Sequence, residues 1–450
     1  MSMPQIDGAP TDRAPTPARN ALWRLLAYIP QRFRREVSSG AYRPEIDGLR
    51  FFAIAIVVVG HLVQRVDRFL PGFRAAADAS AVVAHLRIGP GLGVYLFFAI
   101  SGFIIATQAR KAKTSPLSGR FLKAYFGRRV LRIEPPYVVL LVATWLMLAL
   151  SHYQPEGTQQ FFTEPDSLNV SLLSSLFYAH DLVWGTFPRL FPPGWSLEVE
   201  VQFYISAPLL FALWFRTKGT TSRVLFATVV MAATTLVSAC VPERIGPLFV
   251  YFSILRFFPL FWLGVVLADL KDWLTHCTED QSAIGLTALG WLGLTSFAFL
   301  PEVPDTLTTG LLIRCVMYLS IASMFVSAFA PRSGFRRFCA RPWIALIGGA
   351  CYSIYLVHIQ LLQAMTLIVA KRAPSLSFPG ALGVMALEIA VVIVAGLTFY
   401  ALIERPFMTP NWHRRLAERL GFARRPAVQA SVAGGRRASA APAELRKDAA

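Results

Sequence analysis

Ten stretches of about twenty mostly apolar residues follow one another along this chain, and a lipid bilayer is the solvent such a pattern fits. They run over 47–64, 89–107, 134–151, 195–215, 223–240, 248–270, 283–300, 308–330, 342–368 and 380–403. The composition agrees. Hydrophobic residues make up 55% and charged residues 16%, against ~25% charged in an ordinary soluble domain, and the mean hydropathy is +0.49. A disordered chain, a disulfide scaffold and a soluble globular enzyme are all excluded. The fold expected is all-α: a polytopic membrane protein of ten transmembrane helices.

The net charge of +18 would suggest nucleic acid on a soluble protein. Here the basic residues cluster between the apolar runs, which makes them topology signals, and no nucleic-acid partner is expected. The stretch 108–133 carries eight basic residues and no acid, and 331–341 carries four, Arg332, Arg336, Arg337 and Arg341. The longest connection on the opposite side, 152–194, holds one Arg and four acids. This bias places both termini in the cytoplasm. Two short connections fit it poorly: the acidic 271–282 stretch, and Lys371-Arg372.

Three parts follow from this reading. Residues 1–42 form a cytoplasmic N-terminal segment in which Leu22 to Arg35 suits an interfacial helix interrupted by Pro30. Residues 43–407 form the membrane domain. Residues 408–450 form a basic tail, rich in Ala, Arg, Pro and Gly, expected to be disordered. The first 40 residues hold no apolar run with a cleavage site, so the first span is expected to act as an uncleaved anchor. The five cysteines are scattered without a CxxC, and no metal site or disulfide framework is expected.

An ionisable group inside a bilayer costs at least ~2.5 kcal/mol, which makes such residues functional candidates. His61, Glu200 and His358 stand out in the first, fourth and ninth spans. Arg50 and His61 are eleven residues apart. They therefore share a helical face ~16 Å apart along the axis, with Asp47 one turn before Arg50. Periodicity alone leaves two readings for this pair: a functional face, or a basic anchor plus a hydrogen-bonded packing histidine. Ser196, Glu200 and Tyr204 fall on one face at i, i+4 and i+8, below Trp195 as an interfacial anchor. Glu198 points elsewhere, as a first-turn carboxylate favoured by the helix dipole. Tyr355 and His358 are i, i+3 neighbours. Ser101-Gly102-Phe103 suits a small-residue helix contact, Glu404-Arg405-Pro406 an interfacial ion pair, and Arg128-Arg129-Val130-Leu131-Arg132 phosphate oxygens as well as topology.

Taken together, these segments resemble the acyltransferase 3 family of integral membrane acyltransferases. The matching stretches are Arg43-Pro44-Glu45-Ile46-Asp47-Gly48-Leu49-Arg50 with His61, Phe97 to Phe103, and the basic run at 128–132. They continue with Trp195-Ser196-Leu197 with Glu200 and Gln202-Phe203-Tyr204, Tyr352 to His358, and Glu404-Arg405-Pro406-Phe407. Each is weak alone, but six in order over residues 43–407 are specific. The resemblance implies a ten-helix domain in a bacterial inner membrane. It would take an acyl group, usually acetyl, from cytoplasmic acyl-coenzyme A and pass it to a hydroxyl of a carbohydrate or glycolipid. It further implies function for Arg50 and His61, and donor binding for Arg128, Arg129 and Arg132. No cofactor is expected to be permanently bound, the acyl-coenzyme A being a substrate. Some relatives carry an extra esterase-like domain. The chain after residue 407 is too short to hold one, so transfer is expected to finish in the membrane domain or on a partner.

The chemistry needs a base for the hydroxyl, a grip on the thioester and a stabilised oxyanion. His61 suits the base or, alternatively, an acylated nucleophile. Glu200 would hold its imidazole or orient the acceptor. Asp47, Ser101, Trp195, Ser196, Tyr355, His358 and Glu404 are supporting candidates. The competing class is a proton-coupled transporter or flippase, which would bring internal repeats or paired broken helices; the sequence displays neither. The acceptor (lipopolysaccharide, exopolysaccharide, a signalling oligosaccharide, a macrolide-like lipid), the acyl length and the oligomeric state stay open.

Overall fold

The computed structural model describes residues 28–33, 35, 42–71, 73–74, 80–112, 114–152, 167–301, 306–373 and 376–408. The expected tail 408–450 and most of the N-terminal segment therefore lie outside the described residues, Met408 apart. Among the described residues ten long helices carry the fold: α1 (Pro44–Phe69), α2 (Pro90–Lys111), α3 (Gly119–Ser151), α4 (Trp195–Trp214), α5 (Thr220–Ala239), α6 (Ile254–Cys277), α7 (Ala283–Ala298), α8 (Leu307–Phe329), α9 (Cys351–Arg372) and α10 (Phe378–Phe399). Among the described residues the only strands form a two-stranded hairpin, Arg244–Ile245 with Leu248–Phe249, turning at Gly246 with φ +60°.

Each long helix coincides with a predicted apolar segment. Eight are long and apolar enough to cross a membrane on those grounds alone. The other two are α6, which carries Asp269, Lys271 and Asp272, and α7, with 16 residues. Several boundaries differ from the sequence reading, each for a local reason. The 342–368 segment is broken at Gly348-Gly349-Ala350 into a short helix, Pro342–Gly349, and α9. The 248–270 segment begins with the hairpin, so its helix runs from Ile254 to Cys277. Residues 119–133 form no loop. They are the first turns of α3, capped at Phe121 N–H by the Ser118 hydroxyl, and so the arginines 128–132 stand on a helix. Pro30 sits within the helical stretch 28–32, and residues 22–27 of the expected interfacial helix lie outside the described residues.

Close backbone contacts set the packing around α1 and α2. Gly102 on α2 lies against the Phe261 carbonyl of α6, and Gly264 on α6 lies against the Ala99 carbonyl of α2. A side chain at either glycine would collide with backbone, so the two helices meet at small residues. Gly348 makes the same approach to the Asp47 carbonyl on α1. Aromatic rings fill the space beside the α2–α6 contact: Phe98 stacks on Phe261 at 4.7 Å, and Phe261 on Phe203 of α4 at 4.1 Å. Pro135 and Pro136 interrupt the hydrogen bonding of α3. The Tyr352 hydroxyl donates to the Ile133 carbonyl there at 2.9 Å, tying α9 to α3.

Candidate functional site

A cavity opens between α1, α2, α3, α4 and α9. One part of its wall is cationic, with Arg50, Arg129 and Arg132; the rest is apolar and aromatic, including Val94, Phe97, Phe98, Ile100 and Ile104. Ser101, Ser196, Glu200, Tyr204, Tyr352 and Tyr355 supply its hydroxyls and its carboxylate.

The cationic end rests on shared carboxylates. Arg50 Nη1 donates to Asp47 Oδ1 at 2.8 Å one turn away on α1, and Arg35 Nη1 lies 3.5 Å from the same oxygen. Arg50 and Asp47 are 4% and 3% exposed, so each guanidinium is held by an anion rather than by water. Arg129 donates from Nη2 to Gln108 Oε1 at 2.6 Å, and its guanidinium lies 5.4 Å from the ring centres of both Tyr125 and Tyr204. The i, i+3 spacing of Arg129 and Arg132 on α3 puts both on the cavity wall, whereas Arg128 is exposed and outside it.

Glu404 belongs to this charge cluster and not to an ion pair with Arg405. A π-helical turn over Tyr400–Glu404 carries it inward, where it is 1% exposed and its Oε2 accepts from Ser353 Oγ at 2.6 Å. Its other oxygen has no hydrogen-bond partner, and Arg132, Arg35 and Arg50 act on it electrostatically. Arg405 instead lies over the Phe33 ring.

Glu200 does not reach His61. Its Oε1 accepts from Ser101 Oγ at 2.6 Å and from the Tyr204 hydroxyl, so the helical face predicted for Ser196, Glu200 and Tyr204 does line the cavity, but with α2 as its partner. Ser196 Oγ and the Tyr355 hydroxyl are 2.7 Å apart, and both bond the Pro193 carbonyl. Trp195 is packed inside an aromatic cluster with Phe98, Phe252 and Phe257 at 5.0–6.3 Å. The Trp195 side chain itself stays half-buried. Glu198 is 1% exposed and accepts from the His180 and Asp181 N–H groups at 3.1 and 3.0 Å. The dipole it serves is that of the neighbouring short helix His180–Trp184. Burial pushes the adjacent Asp181 carboxyl up to about 7.

His61 meets His358. The two rings are 5.1 Å apart, and His61 Nδ1 is 3.0 Å from His358 Nε2. His358 Nδ1 is 2.6 Å from the Tyr355 carbonyl. A carbonyl only accepts, so His358 carries its proton on Nδ1 and presents a lone pair at Nε2. His61 must then donate from Nδ1, which leaves its own Nε2 as a free base. His358 is fully buried, while His61 is half-buried. The pair does not line the cavity; Tyr355 does, and its ring lies 5.5 Å from that of His358.

Sequence reasoning missed Tyr352, Gln108 and Tyr125, whose roles depend on neighbours distant in the chain. It also missed Glu388, a fully buried carboxylate on α10 whose two oxygens lie 3.1 and 3.3 Å from the Thr366 hydroxyl of α9. A carboxylate inside an apolar run was a readable signal there. Among the described residues no group of three His, Cys, Asp or Glu side chains is placed to hold a metal ion.

A family model described as an acyltransferase domain matches residues 43–402. The chain is 24% identical over 391 residues to the acyltransferase MdmB of Streptomyces mycarofaciens, covering 83% of this chain and 93% of that protein. It is 23% identical over 366 residues to a putative O-acetyltransferase of Staphylococcus aureus (76% and 57% covered), and 25% identical over 362 residues to the peptidoglycan O-acetyltransferase OatA of Listeria monocytogenes (75% and 52% covered). The chain thus spans only about half the length of the last two. No solved structure matches it.

Proposed function

Because the chain belongs to the acyltransferase domain family matched over residues 43–402, we propose that this integral membrane O-acyltransferase moves an acyl group, acetyl in the simplest case, from cytoplasmic acyl-coenzyme A to a hydroxyl of a carbohydrate or glycolipid in a bacterial inner membrane. The observation that carries this reading is the cavity itself. It has three guanidiniums at one end and aromatic and apolar walls beyond them.

In this reading the phosphates of the donor bind Arg50, Arg129 and Arg132, with Arg128 attracting them from outside the wall. Planar guanidiniums suit phosphate oxygens, and Asp47 and Glu404 keep the cluster from repelling itself when empty. The pantetheine arm lies along Val94, Phe97 and Ile104. Its thioester then reaches the Tyr355 end, near the hydroxyls of Ser196 and Tyr355. His61 Nε2 takes the proton of the acceptor hydroxyl as the oxygen attacks the thioester carbon. His358 holds the ring through His61 Nδ1–H, so His358 is a positioning residue and His61 the catalytic base. The proton returns to the departing thiolate. Glu200, with Ser101 and Tyr204, orients donor or acceptor from the facing wall.

The transporter alternative makes the opposite forecast for one measurement. Purified protein in detergent should transfer the acyl group from acyl-coenzyme A to an added acceptor or to water; complete absence of thioester turnover across donors would leave the transport reading. Mass spectrometry of surface glycans with and without the protein identifies the acceptor. The ten-span topology with both termini cytoplasmic is part of the same proposal. Reporter fusions after residues 170 and 420 should report opposite sides, and a common side would overturn it.

A further inference from the structure

A second recess lies at the end of the bundle away from the basic loops. It is formed where four helices come together: Tyr95 in the second turn of α2, Ser238 in the last turn of α5, Arg256 at the start of α6, and Arg314 and Tyr318 on α8. Phe257 separates it from the main cavity, packing on Tyr95 at 5.5 Å on one side and on Phe98 at 5.4 Å on the other. The two spaces are therefore neighbours across an aromatic wall. Adjacent residues on α2 divide between them: Val94 lines the main cavity and Tyr95 the recess.

Among the described residues that line it, this small space holds two cations and no carboxylate. Arg314 is 8% exposed, and its Nη2 donates only a long hydrogen bond, 3.5 Å, to the Ser238 carbonyl. Tyr318, Arg256, Tyr95 and Tyr251 act on it electrostatically. Arg256 stacks on the Tyr251 ring at 3.8 Å, a contact that orients the guanidinium plane without neutralising it. Among the described residues neither arginine forms a salt bridge. The contrast with Arg50 is direct, since that guanidinium is buried on Asp47. An arginine two turns into an apolar helix is costly, and a second one acting on it by repulsion raises the cost. A bound anion removes it, and paired guanidiniums with nearby tyrosine hydroxyls form the donor set that oxyanions take.

We propose that this recess is an anion site for a phosphate-class group, held between Arg256 and Arg314 with the Tyr318 hydroxyl as a further donor. The group comes either on a phospholipid headgroup entering from the bilayer or on a soluble phosphorylated molecule. Both present the same tetrahedral oxyanion. The site is separate from donor binding, so it is tested by binding alone.

The test uses the full chain purified in a neutral detergent. Inorganic phosphate and short-chain phosphatidylglycerol are titrated separately, with phosphatidylcholine as the zwitterionic control, and followed by native mass spectrometry and thermal stability. The expected result is saturable binding of at least one anionic probe, weakening as salt is added. Arg256→Gln with Arg314→Gln should weaken it by about tenfold or more, while Arg128→Gln leaves it unchanged. Preference for phosphatidylglycerol over phosphatidylcholine and phosphate assigns the headgroup, and binding of phosphate alone assigns a soluble ligand. If the double variant fails to fold, Arg256→Gln carries the test, because this half-buried residue sits at a helix start; a clear loss of affinity is again expected. Saturable binding of neither anionic probe to the wild type, or unchanged affinity in the folded arginine variants, overturns the proposal.

Discussion

Helix α1 carries two buried polar sites three turns apart, and they are built on opposite principles. At its start Arg50 and Asp47 are both charged and neutralise each other at 2.8 Å, within reach of Arg35, Arg132 and Glu404. Further along, His61 meets His358 as two rings hydrogen-bonded in series. Arginine cannot shed its proton, so it is bearable only where carboxylates or anionic ligands accompany it. Histidine can be neutral, so it can sit deeper with a hydrogen bond in place of a counter-ion. The first arrangement is suited to holding a charged substrate. The second is suited to holding one proton at one nitrogen.

This contrast is broken most directly at His61. His61→Gln keeps much of the shape but cannot accept a proton, and His61→Ala removes the ring; each is expected to lower acyl transfer by ~10²–10⁴ with donor binding intact. Retention of more than about a tenth of the wild-type rate, well above that range, would make His61 a packing residue. An acylated His61 peptide trapped without acceptor would replace the general-base step by a covalent one.

The next effect is expected at His358. His358→Ala removes the acceptor for His61 Nδ1–H and should cost ~10–100-fold in kcat with KM for the donor unchanged, between the loss of an orienting bond and the loss of the base. His358→Gln offers an amide oxygen to the same N–H and should recover part of that loss. Equal damage from both, accompanied by aggregation, would point to packing alone.

The charged end is expected to answer in binding. Arg129→Gln with Arg132→Gln should raise KM for acyl-coenzyme A by roughly tenfold or more, as the loss of charge-assisted bonds implies, with a weaker salt dependence of donor binding. Arg128→Gln should change KM least, by about twofold, because an exposed charge acts through screened solvent. If all three substitutions behave alike, the separation of Arg128 from the wall has no functional meaning.

The helices were legible at the level of existence and order, because an apolar run of this length has few other homes. Their interruptions were less so. The break at Gly348–Ala350 lies inside an uninterrupted apolar run, and what makes it useful is the contact of Gly348 with the Asp47 carbonyl on another helix. The candidate residues were likewise found as types. Glu200, His61 and His358 were marked by the cost of polar groups in an apolar run, Arg50 by the helical face it shares with His61, and Arg129 and Arg132 by clustering. Their pairing was not legible. Glu200, expected either to hold the His61 imidazole or to orient the acceptor, bonds Ser101, 99 residues away, while His61 bonds a residue 297 positions distant.

By itself the sequence determined an all-helical membrane chain, the order of its spans, and which polar side chains needed a special reason to be there. These follow from hydropathy and helical period, both local properties of the chain. Only the tertiary structure decided which of those side chains meet. It set Glu404 inward on a π turn, put Trp195 into an aromatic cluster, left Arg128 outside the cavity and joined His61 to His358. The physical reason is that a hydrogen bond or an ion pair depends on ångström distances between helices, and these are set by where glycines and rings let backbones approach, as at Gly102 and Gly264.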